Sequence, residues 1–102
     1  QACRRAAQER FRGNLAAVDA VVVPTCPCLA PRLEDERGRV GEAYVPFGLA
    51  GGRFRRWANM LGMPAVTVPV ATSQALPASV QLAAGPGRDG RLLQIAASLT
   101  GW

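Results

Sequence analysis

Apolar residues recur along this chain with two different periods, and the change of period marks out its elements. Ala7, Phe11, Leu15 and Val18 fall at spacings of four, four and three, which lines one face of a helix over residues 2–18. Arg4, Arg5, Gln8, Glu9 and Arg12 take the wet side. Gly13 weakens that helix by about 1 kcal/mol relative to alanine and gives it a place to break. After Asp19 the pattern becomes continuous: Ala20 to Val23 is an unbroken apolar run closed by Pro24, which cannot donate to a ladder and suits a strand end.

The helical period returns between Gly52 and Leu61, with Phe54, Trp57, Ala58 and Leu61 on one side and Arg53, Arg55 and Arg56 spread over the rest. Gly62 suits the left-handed position just past the end of this helix, and Pro64 prevents its continuation. Ala65 to Val70 is then apolar and largely β-branched on both faces, which predicts a strand in the middle of a sheet covered on both sides. The loop Ala71 to Pro77 is short enough to join it to an antiparallel strand over 79–84. Within that strand, alternation turns Gln81 away from Val80 and Leu82; a buried glutamine must partner its amide, so Gln81 either ties the sheet to a loop or meets a ligand. Gly85-Pro86-Gly87 breaks the strand, Asp89 is placed to cap a last helix, Leu92, Ile95, Ala96 and Leu99 form its apolar face, and Gly101 ends it.

The fold class these elements predict is α/β. A small mixed sheet has strands near 20–24, 65–70 and 79–84, and helices near 2–18, 52–61 and 89–99 cover it. Residues 27–50 form a long proline- and glycine-punctuated connection with a charged cluster from Arg32 to Arg39, which a surface hairpin around Arg37-Gly38-Arg39 accommodates without chemistry. In open α/β sheets ligands gather at the carboxyl ends of strands, so Thr25 and Cys26 are candidates to line a cleft, a plain turn being the alternative.

Composition narrows the function classes. At 102 residues the chain fits one small domain, and nothing in it approaches the roughly 20 apolar residues of a membrane span. All 12 basic residues are arginine and the net charge is +5, yet acidic residues interleave with most of them, which argues against nucleic acid. Cys3, Cys26 and Cys28 make no disulfide framework; without histidine, the Cys26-Pro27-Cys28 pair falls short of a four-ligand metal site. Free thiols fit a reducing compartment, the cytoplasm. No cofactor is indicated. A glutamine in first place points to a processed chain or to a piece of a longer reading frame.

Four segments in order carry a resemblance. Asp19 to Pro24-Thr25, then Asn59-x-x-Gly62-x-Pro64-Ala65-x-x-x-Pro69, then Leu76-Pro77 with Gln81-Leu82, then a helix with paired leucines, together resemble the C-terminal part of the amidase signature family. In that reading Pro24, Thr25, Asn59, Gly62, Pro64 and Pro69 are structural motif positions, and residues 1–102 are an incomplete domain. The resemblance implies hydrolysis of carboxamides by a serine nucleophile, a second serine with a cis peptide, and a lysine base. It also implies that Arg53, Arg56 and Trp57 face the acyl pocket, with packing of Trp57 and solvation of the arginines as the alternative, and that the apolar stretch from Tyr44 to Leu49 contacts substrate. Where the family has glycine, this chain has Ala71 and Ser79; if those glycines have positive φ, each replacement costs on the order of 1 kcal/mol.

The chain has no lysine, nor the Gly- and Ser-rich segment whose N–H groups would hold an oxyanion. Ser73, Ser79 and Ser98 have no histidine to activate them, and Glu34, Asp35 and Glu36 read as solvated loop carboxylates, so no catalytic residue is assigned. The reading that follows is a segment of a hydrolase, inactive by itself, which meets an amide substrate only with the rest of its fold and self-associates through an exposed sheet edge. The alternative is a free-standing module whose arginines bind an acidic partner or nucleic acid.

Overall fold

The computed structural model describes residues 1–48, 54–73 and 75–100. Helix α1 (Ala2–Leu15) leads to strand β1 (Val21–Pro24), then to a hairpin of β2 (Arg37–Val40) and β3 (Ala43–Pro46). Helix α2 (Arg56–Leu61), strands β4 (Ala65–Val70) and β5 (Ala78–Ala83), and helix α3 (Asp89–Thr100) complete the order. The α/β class read from the sequence is the class observed. The sheets differ from the expected mixed one: all pairing among the described residues is antiparallel, in a three-stranded sheet of order β1-β5-β4 and the separate β2-β3 hairpin.

That strand order corrects one expectation. β5, and not β4, is the central strand, with Leu82 in register with Val22 on one side and Val66 on the other. Ala65, Thr67, Pro69 and Val70 of β4 are exposed and only Val68 is buried. The run looked uniformly apolar because alanine, threonine and proline are small and weakly polar. Its alternation emerges only in the fold, where α3 packs on the face that carries Val66 and Val68 and no β4 residue joins the opposite cluster. Pro69, lacking an N–H, is compatible with that edge position.

Two clusters cover the two faces of β5. On one, Val68, Leu82 and Ala84 pack with Leu92 and Ala96 of α3. On the other, Ala83 packs with Leu15 of α1, Leu61 of α2 and Met63. Leu92, Ile95 and Ala96 face the sheet as their spacing predicts, but Leu99 is 61% exposed and joins neither core cluster. Asp89 is the first residue of α3 rather than its cap; the first bond of the helix runs from the Leu92 N–H to the Arg88 carbonyl. Its carboxylate still lies where the helix dipole favours a negative charge. Gly101 lies outside the described residues.

Helix α1 stops at Leu15, two residues after Gly13 and short of the expected Val18, which is exposed. Its remaining apolar face works as read: Leu15 is buried, Ala7 is half-buried, and Phe11 meets Trp57 with ring centroids 6.0 Å apart. Arg4 Nε and Gln8 Nε2 both donate to the Met60 carbonyl, at 2.9 and 3.3 Å, which satisfies an orphan acceptor at the end of α2. α2 itself begins at Arg56, after a turn at Phe54 and Arg55, so its described part is shorter than the span 52–61. Its end matches the sequence signal in full. Gly62 sits at φ 68°, its N–H reaches the Asn59 carbonyl at 3.2 Å, and the Met63 N–H reaches Ala58 at 2.9 Å, the paired closure of a Schellman motif.

Candidate functional site

Gln81 occupies the middle of β5, in register with Val23 and Thr67, and is 6% exposed. Its Nε2 donates to the Phe54 carbonyl, and Trp57 Nε1 donates to the same oxygen at 2.9 Å. One backbone carbonyl in the turn before α2 therefore ties a central strand, a helix and an indole together. Of the two roles weighed for Gln81, the link from sheet to loop is present. Trp57 is half-buried and wedged between that turn and Phe11 of α1, while Arg56 points its charge from the exposed side of α2. Arg53 lies outside the described residues.

The double use of the Phe54 carbonyl sets the effect of changing Gln81. Gln81→Met removes one donor but leaves the carbonyl bonded to Trp57, so the expected cost is about 1 kcal/mol. Gln81→Glu sets a carboxylate against that oxygen in a buried site. Burial raises the folded-state pKa of the new acid above its unfolded value, so the penalty is absent below about pH 4 and grows as pH rises through that value. Urea melts at pH 4 and pH 7 check this; equal stability of the glutamate and methionine variants at pH 7 would contradict it.

At the other end of the same face, Ser79 Oγ donates to Thr25 Oγ1 at 2.9 Å, and the Thr25 N–H reaches the Ser79 carbonyl at 3.3 Å, extending the β1–β5 ladder past Pro24. Neither Ser79 nor Ala71 has positive φ, so the departures from glycine carry no left-handed strain. The hydroxyl at Ser79 instead adds a cross-strand bond. Thr25 and Cys26 are half-buried at the strand end. Ser98 donates its hydroxyl to the Ile95 carbonyl within α3.

The segment after β1 folds against the hairpin. Cys28 lies on Gly38, which is buried, and burial, followed by the neighbouring Cys26, pushes the Cys28 thiol pKa up. Asp35 and Arg37 form a bidentate pair at 2.8 and 3.0 Å, which holds the Asp35 carboxyl below its ordinary range and raises Arg37. The Arg37 guanidinium carbon sits 5.6 Å from the centroid of Tyr44, a cation–π contact. Tyr44 is exposed, and Leu49, the far end of the expected substrate-contact stretch, lies outside the described residues. The charged cluster is thus a hairpin entrance, in line with the hairpin read from Arg37-Gly38-Arg39. Sequence reasoning missed the Phe54 carbonyl, which has no side-chain signature, and the Ser79–Thr25 pair. It also missed the Asp35–Arg37–Tyr44 arrangement, for which the two-residue spacing of opposite charges was the available signal.

The family model described as "Amidase" matches residues 1–93. A fatty acid amide hydrolase of Medicago truncatula is 33% identical over 100 residues, covering 97% of this chain and 16% of the relative. A second fatty acid amide hydrolase, of Arabidopsis thaliana, is 31% identical over 100 residues, again covering 97% of this chain and 16% of the relative. Among solved structures, a crystal structure of an amidase superposes with a TM-score of 0.86 at 26% identity, over 96% of this chain and 23% of that one. The chain thus spans less than a quarter of the length of these relatives.

Proposed function

Because the chain belongs to the amidase family, we propose that it is the C-terminal segment of a hydrolase of carboxamide C–N bonds, supplying sheet core and part of the substrate-pocket wall and inactive alone. The observation that carries this reading is the asymmetry of coverage, 96% of this chain against 23% of a structurally matched amidase, in a sequence without lysine or histidine. A serine hydroxyl is a poor nucleophile until a base removes its proton, and among the described residues no such base stands beside Ser73, Ser79 or Ser98. The wall would be the turn at Phe54 and helix α2, with Trp57 and Arg56 on it, Arg53 just before it, and Gln81 holding it to β5.

The apolar surface supports the same reading. β1 and β4 each pair with β5 only, so both sheet edges are open among the described residues. Val22 is 58% exposed on β1, and Leu93 and Leu99 are 62% and 61% exposed on α3. In a larger amidase sheet these are the surfaces that further strands and helices would cover; in isolation they favour self-association.

Size-exclusion chromatography and an ammonia-release assay on a simple carboxamide test the proposal together. The chain alone is expected to elute as an associated species and to release no ammonia above buffer. Joined in frame to a segment carrying the serines and the lysine, it is expected to turn over. A stable monomer, or hydrolysis by the chain alone, would refute the reading.

A further inference from the structure

A cavity of about 770 Å³ opens between the loop after β1, the β2–β3 hairpin and Leu76 of the β4–β5 connection. That volume lies in the range of small-molecule sites. Its backbone frame is hydrogen-bonded: the Asp35 N–H reaches the Arg32 carbonyl at 3.2 Å and the Phe47 N–H reaches Glu36 at 2.7 Å. Arg32, Arg37 and Arg39 line it against one carboxylate, Asp35, with Tyr44 and Leu76 as apolar wall.

The guanidiniums are not equivalent. Both oxygens of Asp35 are taken by Arg37, which also lies over Tyr44, so this pair is locally neutral and already partnered. Arg39 donates its Nε to the Gly41 carbonyl at 3.0 Å, and its terminal nitrogens have no acceptor among the described residues. Arg32 faces Glu34 at 3.6 Å with both side chains largely exposed, a contact that contributes little and that a bound anion can displace. Two guanidinium forks therefore remain to meet an oxyanion, beside an aromatic face and a leucine. We infer that this cavity binds a small molecule bearing a carboxylate or phosphate on an apolar body. The inference does not rest on amide hydrolysis, since Arg56, Trp57 and Gln81 do not line the cavity.

Equilibrium dialysis of the chain at low salt against 1-naphthoate, 1-naphthyl phosphate and the neutral 1-naphthalenemethanol tests it, and is insensitive to the association state. One or both anions should be retained saturably and the alcohol should not; which anion is held tells carboxylate from phosphate ligands. Arg39→Ala and Arg32→Ala should each weaken retention about tenfold, the scale of a hydrogen bond to a charged group. Arg10→Ala, on α1 and away from the cavity, should leave it unchanged. Retention of neither anion, equal retention of the alcohol, or an equal loss in Arg10→Ala would overturn the inference. Arg32 lies in an exposed turn where truncation does not threaten folding, so its variant decides the matter even if far-UV circular dichroism shows Arg39→Ala to be unfolded.

Discussion

Leu82→Ala is expected to lower stability by about 2–5 kcal/mol, the range for truncating a leucine in a packed core. Leu82 is 1% exposed, lies on the central strand, and belongs to the cluster that joins β4 and β5 to α3. Among the described residues no strand lies beyond β1 or β4 to share the load, so the sheet can collapse little around the void. A domain of this size holds on the order of 5–15 kcal/mol in all, so the loss is a large fraction of the total and a fall in Tm of roughly 10 °C or more follows. Thermal melts followed by circular dichroism, at one fixed chain concentration because association couples to stability, measure it. Leu33→Ala, at a fully exposed leucine in the loop before the hairpin, should melt with the parent. A shift at Leu82 no larger than at Leu33 would remove β5 from the centre of the core.

Gly38→Ala is expected to be the most damaging single-methyl addition in the hairpin. A Cβ built at the buried Gly38 would overlap Cys28 Sγ, closer than packed atoms approach, and would also crowd Cys28 Cβ at 3.3 Å. The φ at Gly38 is not in the left-handed region, so the cost arises from space alone, about 1–3 kcal/mol for overpacking. Cys28→Ala in the same chain removes the sulfur and leaves only the milder contact. The double variant should therefore be more stable than Gly38→Ala alone, with a coupling of at least about 0.5 kcal/mol. Hydrogen exchange of the hairpin amides reads the effect locally. A double variant with no more protection than the single would show that Cys28 does not pack on β2. Gly38 also lines the arginine-lined cavity, so Gly38→Ala should weaken anion retention alongside hairpin protection.

The behaviour of the charged cluster shows why spacing was informative about place but not about pairing. A hairpin read around Arg37-Gly38-Arg39 is present, but it spans β2 and β3 and turns after Val40, so those three residues lie on a strand with Gly38 buried and residues 32–36 form the loop before it. Which arginine would hold Asp35, and which would be left facing a cavity, depended on how the hairpin twists Arg37 over Tyr44, a cross-strand relation between residues seven apart.

What the sequence determined by itself was set by neighbours within a few residues. The left-handed stop at Gly62, the end of β1 at Pro24, the antiparallel return from β4 to β5, the buried position of Gln81 and the core-facing Leu92 and Ala96 follow from local sterics and period. The motifs from Pro24-Thr25 to Gln81 also carried the family. Tertiary structure alone decided that β5 is central and β4 an edge, that Leu99 and Val22 stay exposed, and that the Phe54 carbonyl receives both Gln81 and Trp57. The physical reason is that burial and hydrogen-bond partnership belong to pairs of segments distant in sequence. A residue's own type states what it can bury or donate, and only packing states against what.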